Sequence, residues 1–245
     1  MEGERILLAG QDWVENVESS ESGRALLLPA ELTGFVPPLT TGRATLLGGP
    51  PEIGKTALAL QVFKTLVEAG EPGVFVTLEM TPADLFERFA RQFASEEECK
   101  EWIRDYEAKV THSYINPGQI EKIISSGEYS FAILDHLHEL NYADRFQLEN
   151  EVKRILSMAP EHDVALLALA QLRRPGEFQT APTLHDWKDS GVFEQKAAVT
   201  LQLWKDPSEI EYDTVTLYNL KNRMGKKYPP VELYLDEDSV VFRRR

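Results

Sequence analysis

The sequence predicts one α/β domain with a mostly parallel central sheet, helices on both faces and antiparallel strands at the C-terminal edge of the sheet. Two observations favour this fold class. From Ala44 onward, short apolar runs alternate with segments of helical period, as in sheets whose parallel strands are joined by helices. A glycine-rich motif also lies between the first apolar run and the first helix. We expect residues 1–31 to form an N-terminal arm or linker and residues 32–245 to form the domain.

The individual elements follow from the same patterns. The predicted strands are 44–49, 74–78, 110–115, 131–134, 164–170, 199–204, 213–220 and 231–242. Residues 56–67 are apolar on most faces and predict a buried helix. Thr81 to Asp84 read as an N-cap, a proline at the first helical position and a capping-box acid, and they start a second helix whose aromatic stripe we expect in the core. A third helix is marked by apolar residues at helical spacing: Leu148, Val152, Ile155 and Ala159.

Composition excludes several classes of protein. No stretch approaches the ~18 uncharged apolar residues of a membrane span, and residues 1–8 carry two acids where a signal peptide would be apolar. The single cysteine, Cys99, cannot form an intramolecular disulfide or a cysteine-based zinc site. We therefore expect a cytoplasmic protein that does not contact membranes.

The charge balance limits how the chain could bind nucleic acid. With 26 basic and 40 acidic residues, its formal net charge is −14. This argues against binding a polyanion over the whole surface, because phosphate affinity comes from lysine and arginine. Binding through a local basic group is still allowed. Residues 221–227 (KNRMGKK) form such a basic turn, and from composition alone it is either a solvated hairpin or a functional site.

The strongest functional signal is the sequence GPPEIGKT at residues 49–56, which matches GxxxxGK[ST]. The motif follows a predicted strand and opens a predicted helix, which is the context it requires. Successive backbone N–H groups and the helix N-terminus are expected to bind nucleotide phosphates. Lys55 would place its charge on the outer phosphates, and the Thr56 hydroxyl would ligate Mg²⁺. The predicted nucleotide-binding residues are Gly49, Pro50, Pro51, Glu52, Ile53, Gly54, Lys55 and Thr56.

Three polar residues at predicted strand ends are candidates for the chemistry of this site. Asp135 follows the apolar strand FAIL and can hold Mg²⁺ through water. Glu79, in VTLEM, can orient and deprotonate an attacking water. The amide of Gln171 can sense the γ-phosphate and affect the loop that follows. For Asp135 the alternative is an ordinary acid at a strand end, and for Glu79 it is a surface acid that precedes a helix.

Five further segments carry a family resemblance: VTLEM, FAILDHLHEL, AQLRR, HDWKDSGVFEQKAA and LKNRMG. In this order and spacing they resemble the RecA-like motor domain of DnaB-type replicative helicases, over about residues 32–242. The resemblance implies a RecA-like P-loop fold, with ATP and Mg²⁺ as cofactors. It also implies a homo-oligomer, a hexameric ring with ATP between neighbouring subunits and single-stranded DNA through its centre. Replication or loader proteins would be further partners.

The resemblance also implies which subunit each residue serves. Lys55, Thr56, Glu79, Asp135 and Gln171 would act in one subunit. Lys221 and Arg223 match the basic pair that reaches the γ-phosphate of a neighbour, with the arginine as a finger. Lys188, Asp189 and Gly191 match the central-loop segment that contacts the DNA backbone, and Arg173 and Arg174 would add charge on a loop facing the same channel.

The sequence departs from the family pattern in three places. Too few residues precede the core for the N-terminal primase-interacting domain, Lys188 replaces an arginine, and His136 stands where tyrosine is common. These departures indicate a minimal helicase of phage or plasmid type. The alternative is a RecA-fold ATPase without translocation, either a recombination mediator or a clock-type regulatory ATPase. A metal site at His136 and His138 is a weaker interpretation than two ordinary strand-end histidines.

Overall fold

The computed structural model describes residues 23–112, 117–137, 145–172, 181–186, 196–205, 214–236 and 238–244. Nine strands lie in these ranges: β1 (Ala44–Gly49), β2 (Gly73–Thr77), β3 (Lys109–His112), β4 (Phe131–Asp135), β5 (Ala165–Gln171), β6 (Val199–Trp204), β7 (Thr214–Asn222), β8 (Val231–Asp236) and β9 (Val241–Arg244). The helices there are α1 (Lys55–Glu68), α2 (Pro82–Ala90), α3 (Glu96–Asp105), α4 (Pro117–Ile124) and α5 (Arg145–His162), with a 3₁₀ turn at Leu184–Asp186.

All nine strands form one sheet in the order β3-β2-β4-β5-β1-β6-β7-β8-β9. The pairings from β3 through to β6 are parallel, and those of β6 with β7, β7 with β8 and β8 with β9 are antiparallel. The predicted fold class, a mostly parallel sheet with antiparallel strands at its C-terminal edge, is confirmed. Because parallel strands end at the same edge of a sheet, β1, β2, β4 and β5 bring the residues that follow them together.

A hydrophobic core lies on each face of the sheet. One core contains the apolar residues of α1, α2 and α3, and the other contains those of α4 and α5. Phe89 of α2 packs edge-on against Phe93 and Trp102, with ring centroids 5.1 and 5.3 Å away, so the predicted aromatic stripe belongs to the core. None of the helices in the described ranges is long and apolar enough to cross a membrane.

The residues before β1 pack onto the domain. Leu26, Leu28, Leu32 and Leu39 are buried in the same core as α1. The last part of the predicted arm therefore lies against the sheet and helices, and the division at residue 31 stays a prediction. Residues 1–22 fall outside the described part of the chain.

The predicted single strand over 231–242 is wrong, because the chain turns back on itself between β8 and β9. The Asp236 carboxylate accepts hydrogen bonds from the backbone N–H groups of Asp238 and Ser239, at 3.1 and 3.2 Å, and this side-chain turn ends β8. Two helices, α3 and α4, were not predicted from the sequence. Ser95 caps α3 by accepting from the backbone N–H of Glu98 at 3.2 Å, and this Ser-x-x-Glu spacing was the available signal.

Candidate nucleotide-binding and hydrolytic site

The glycine-rich loop joins β1 to α1 through a backbone shape that needs glycine at its last position. Gly54 has φ +97°, in the left-handed region, and its carbonyl accepts the first hydrogen bond of α1 from Leu58 at 3.0 Å. A Cβ at this position would lie 2.6 Å from Cζ of the buried Phe242. The Phe242 backbone is held in turn by the Gln61 side chain of α1, through two hydrogen bonds of 3.0 Å. The loop shape therefore depends on β9 as well as on the motif.

Replacing Gly54 by alanine is expected to lower the free energy of unfolding by about 1–3 kcal/mol, from backbone strain and the clash with Phe242 together. Gly70→Ala is the matched control. Gly70 also has a positive φ, +82°, but a Cβ there would meet nothing within 4 Å. Denaturant unfolding of both variants measures the difference. Equal losses would show that the Phe242 contact does not fix the loop.

Lys55 begins α1 as a buried cation. Its Nζ donates hydrogen bonds to the carbonyls of Gly49 and Pro50, at 3.0 and 2.8 Å. Burial lowers the pKa of the Lys55 ammonium group to about 8, although the charges of Asp135 and Glu79 oppose this shift. Among the described residues, no carboxylate forms an ion pair with Nζ. A bound phosphate would supply the anionic partner that this buried charge lacks.

Thr56 and Asp135 meet at the next position of the site. The Thr56 hydroxyl donates to Asp135 Oδ2 at 2.8 Å, and Asp135 is fully buried at the end of β4. A hydroxyl and a carboxylate oxygen are the hard oxygen ligands that Mg²⁺ takes in proteins. The donor set of this pair therefore fits the predicted Mg²⁺, which these two residues would hold directly or through water.

Glu79 and His136 complete the polar cluster. Glu79 lies two residues beyond β2, with its side chain about half exposed at 51%. His136 follows β4 after a cis peptide bond, and its Nδ1 lies 3.1 Å from Asp135 Oδ1 and 3.2 Å from Glu79 Oε2. Burial opposes a charge on His136, but its hydrogen bond to Asp135 and the nearby charges of Asp135 and Glu79 outweigh this and raise its pKa. The histidine therefore links the two carboxylates.

These residues line a cavity of about 1010 Å³ at the carboxyl ends of the parallel strands. Most of the predicted catalytic set shares this cavity: Lys55, Thr56, Glu79 and Gln171 line it, and Asp135 bonds to Thr56 at its floor. The β8–β9 hairpin closes one side with Leu235 and Val240, which the pattern analysis did not predict.

Arg88 of α2 and Arg91, which caps the C-terminal end of this helix, also line the cavity, and the sequence did not predict them. The helix is amphipathic: Leu85 and Phe89 face the core, and the two arginines lie on its exposed side. Neither arginine has an ion-pair partner among the described residues. The signal that could have found them was their spacing, three residues apart on the polar face of the helix that follows Glu79.

Lys221 and Arg223 lie near the amino ends of the parallel strands, opposite the carboxyl ends where the cavity lies. Strand pairing places Lys221 opposite Thr200 and Asn222 opposite Val199, at the start of β6, and Val199 is paired with Thr45 at the start of β1. The predicted phosphate loop, residues 49–56, follows the carboxyl end of β1. The length of this six-residue strand separates the loop from the amino end by roughly 15–20 Å. Lys221 Nζ donates to the Ala197 carbonyl at 2.7 Å, and Arg223 is exposed. The structure thus does not bring this pair to the phosphate loop of its own chain.

The remaining predicted site residues fall outside the described part of the chain: Arg173, Arg174, Lys188, Asp189 and Gly191. His138 lies outside it as well. The predicted roles of these residues in contacting DNA stay predictions.

Comparisons with known proteins agree with the fold. Residues 37–158 match the family model described as ATPase: KaiC, a range that includes the phosphate loop, Glu79 and Asp135. Nearly the whole chain superimposes on a DnaB-like replicative helicase, described with its interactions with primase, with a TM-score of 0.76 and 21% identity, over 98% of this chain and 68% of that one. The chain has a RecA-like fold. A second solved structure, an isolated ATPase domain, is similar as well, with a TM-score of 0.75 and 22% identity over 95% of this chain and 96% of that one.

Relatives by sequence come from two groups, circadian clock oscillator proteins and replicative DNA helicases. The circadian clock oscillator protein KaiC of Synechococcus elongatus is 45% identical over 56 residues, 22% of this chain and 11% of that protein. A probable plasmid replicative DNA helicase of Chlamydia muridarum is 28% identical over 198 residues, 66% of this chain and 43% of the helicase. The chain thus spans less than half the length of the curated relatives it matches.

Proposed function

We propose that this chain is a Mg²⁺-dependent ATPase that works as an oligomeric ring on single-stranded DNA, as a minimal motor of the DnaB type. The observation that carries the proposal is the meeting of Lys55, Thr56, Asp135 and Glu79 in one cavity at the carboxyl edge of the sheet. A cation for phosphate, oxygen ligands for a metal ion and a partly exposed carboxylate are the groups that ATP hydrolysis requires.

Each of these residues has a distinct role in the proposed reaction. The loop N–H groups and Lys55 bind the phosphates, and Thr56 and Asp135 hold the Mg²⁺ that neutralises phosphate charge when bound. Glu79 takes the proton of the attacking water, because its carboxylate is accessible from the cavity while that of Asp135 is buried. Gln171, at the end of β5, lines the cavity and can hydrogen-bond the γ-phosphate.

The position of Arg223 supports an oligomer in which neighbours share each site. Lys221 and Arg223 cannot reach the phosphate loop of their own chain, so any contact of this pair with ATP must be made in a neighbouring copy. An arginine supplied in trans accelerates phosphoryl transfer by about 10³–10⁵ in other P-loop enzymes. A repeated head-to-tail contact of this kind forms a ring when its rotation closes and an open filament when it does not, and the resemblance to DnaB-type motors favours the ring.

The charge around Arg223 favours the same arrangement. A cleft of about 950 Å³ at the opposite ends of the parallel strands is lined by basic residues: Arg43, Lys196, Arg223 and Lys226. The cavity at the carboxyl ends carries both acids and arginines. In a head-to-tail stack, the basic cleft of one copy would face the nucleotide phosphates bound by the next.

Binding to single-stranded DNA would be local in such a ring, because the chain as a whole carries a net charge of −14. We assign it to Lys188, Asp189 and Gly191, with Arg173 and Arg174 nearby, on the resemblance to DnaB-type motors. Each subunit would neutralise one or two phosphates, and the affinity would come from repeating that contact around the ring.

The match to the KaiC model supports a second candidate, a regulatory RecA-fold ATPase that does not move on DNA. The two candidates share the hydrolytic site and differ in whether DNA stimulates turnover. The similarity to helicases over most of the chain favours the motor.

ATP turnover with and without single-stranded DNA tests the proposal, alongside fluorescence anisotropy of labelled oligonucleotides at several salt concentrations. We expect ATP-dependent binding with a salt slope of about 0.7 per phosphate contacted. Lys188→Ala should weaken binding to unrelated sequences and reduce the stimulation while basal turnover persists. Absence of binding in every nucleotide state, or unchanged affinity in Lys188→Ala, would contradict the motor and favour the regulatory ATPase.

A further inference from the structure

His136 is the one buried polar residue of the cluster that the proposed reaction does not use. Its Nδ1 lies 3.1 Å from Asp135 Oδ1 and 3.2 Å from Glu79 Oε2. The three residues offer one ligand atom each, all within 4.8 Å of one another. Two neighbouring ligands of an octahedral ion with bonds of ~2.1 Å lie about 3.0 Å apart. His136 Nδ1 is therefore spaced from each carboxylate oxygen like one ligand of an ion from its neighbour.

Neighbouring residues orient the three ligand atoms and leave them accessible to an ion. The second oxygen of Asp135 accepts a hydrogen bond from Thr56, which turns Oδ1 towards His136, as outer hydrogen bonds orient ligands in metal sites. Asp135 and His136 are buried, whereas Glu79 opens onto the cavity and gives an ion access. Among the described residues, the carboxylates of Glu79 and Asp135 pair with no lysine or arginine that an ion would have to displace.

The donor set indicates which ions fit. Mg²⁺ takes oxygen ligands, whereas an imidazole nitrogen favours divalent ions of the first transition series, such as Co²⁺ or Zn²⁺. A tyrosine, the residue common in the family at position 136, would supply no such nitrogen. The imidazole therefore distinguishes this donor set from one that has tyrosine at position 136.

We propose that Glu79, Asp135 and His136 bind a divalent transition-metal ion in the nucleotide-free protein. The ion takes the place of the proton on His136 Nδ1, and that proton is released to solvent. One consequence rests on the proposed function: because the ion occupies the carboxylate that serves as the base, it inhibits hydrolysis of ATP with Mg²⁺.

Titration of the untagged, nucleotide-free chain with Co²⁺, followed by the visible absorption of the bound ion, tests the site. We expect one ion per chain in excess Mg²⁺, and binding weaker by about tenfold or more in His136→Ala and in Glu79→Gln. His162→Ala is the matched control, because it removes an exposed imidazole at the end of α5. His136→Tyr keeps an aromatic ring and removes the nitrogen, so it serves if His136→Ala does not fold.

Pulsed electron paramagnetic resonance of bound Mn²⁺ gives a readout on the unmodified chain. Coupling to an imidazole nitrogen is expected and would identify His136 as a ligand. The proposal would be overturned by an absence of Co²⁺ binding or by wild-type Co²⁺ affinity in both His136 variants. Mn²⁺ that binds without nitrogen coupling would also overturn it. Turnover with Mg²⁺ and ATP is assayed separately. A chain that binds Co²⁺ but hydrolyses no ATP would refute the proposed function and leave the metal site standing.

Discussion

Glu79→Gln is expected to bind ATP with wild-type affinity and to hydrolyse it at least about a hundredfold more slowly. Glutamine keeps the size of the side chain and its place beside His136, but it cannot accept a proton from water at neutral pH. Glu79 is also the partly exposed carboxylate of the pair, whereas the Asp135 carboxylate is buried against Thr56. Single-turnover hydrolysis and titration with a fluorescent ATP analogue would separate the two effects.

Glu87→Gln provides a control with the same chemical change. Glu87 lines the same cavity from α2 and makes no hydrogen bond or ion pair with any described residue. Its replacement should leave hydrolysis within a few-fold of wild type. Wild-type hydrolysis in Glu79→Gln would show that another group takes the proton.

Lys55→Ala is expected to abolish turnover by preventing productive nucleotide binding. The ammonium group is buried beside the loop carbonyls, so alanine would leave the phosphates without their nearest charge in a site of low dielectric. Lys64→Ala is the control: this lysine lies on the same helix but pairs with Glu68, away from the cavity. Calorimetric titration with ATP would measure the loss, and normal binding and turnover in Lys55→Ala would rule out the assigned phosphate site.

The sequence alone was enough to predict the phosphate loop and the strand ends around it. A glycine-rich motif between an apolar run and a helix has few other structural meanings, and parallel strands end at one edge of a sheet. The convergence of Glu79, Asp135 and Gln171 could therefore be expected before their positions were known. The capping box at Thr81 could be predicted because it depends only on residues close together in the sequence, and the structure contains it.

Features that depend on the register of distant strands could not be predicted in this way. The position of Arg223 follows from the pairing of β7 with β6 and of β6 with β1, which no local pattern encodes. The role of Phe242 beneath Gly54 depends on a hairpin whose turn was hidden inside an apparently continuous strand. His136 was identified in the sequence, but only the structure shows its contact with both carboxylates.

We propose that hydrolysis takes place between two copies, with Glu79 from one and Arg223 from the other. Mixing Glu79→Gln with Arg223→Ala tests it most directly, since each variant alone should bind ATP and turn over poorly. At mixed interfaces, an intact Glu79 can face an intact Arg223, so ATP turnover of the mixture should exceed that of either variant. Lack of rescue at any mixing ratio, with co-assembly confirmed by sizing in a non-hydrolysable analogue, would contradict the shared site.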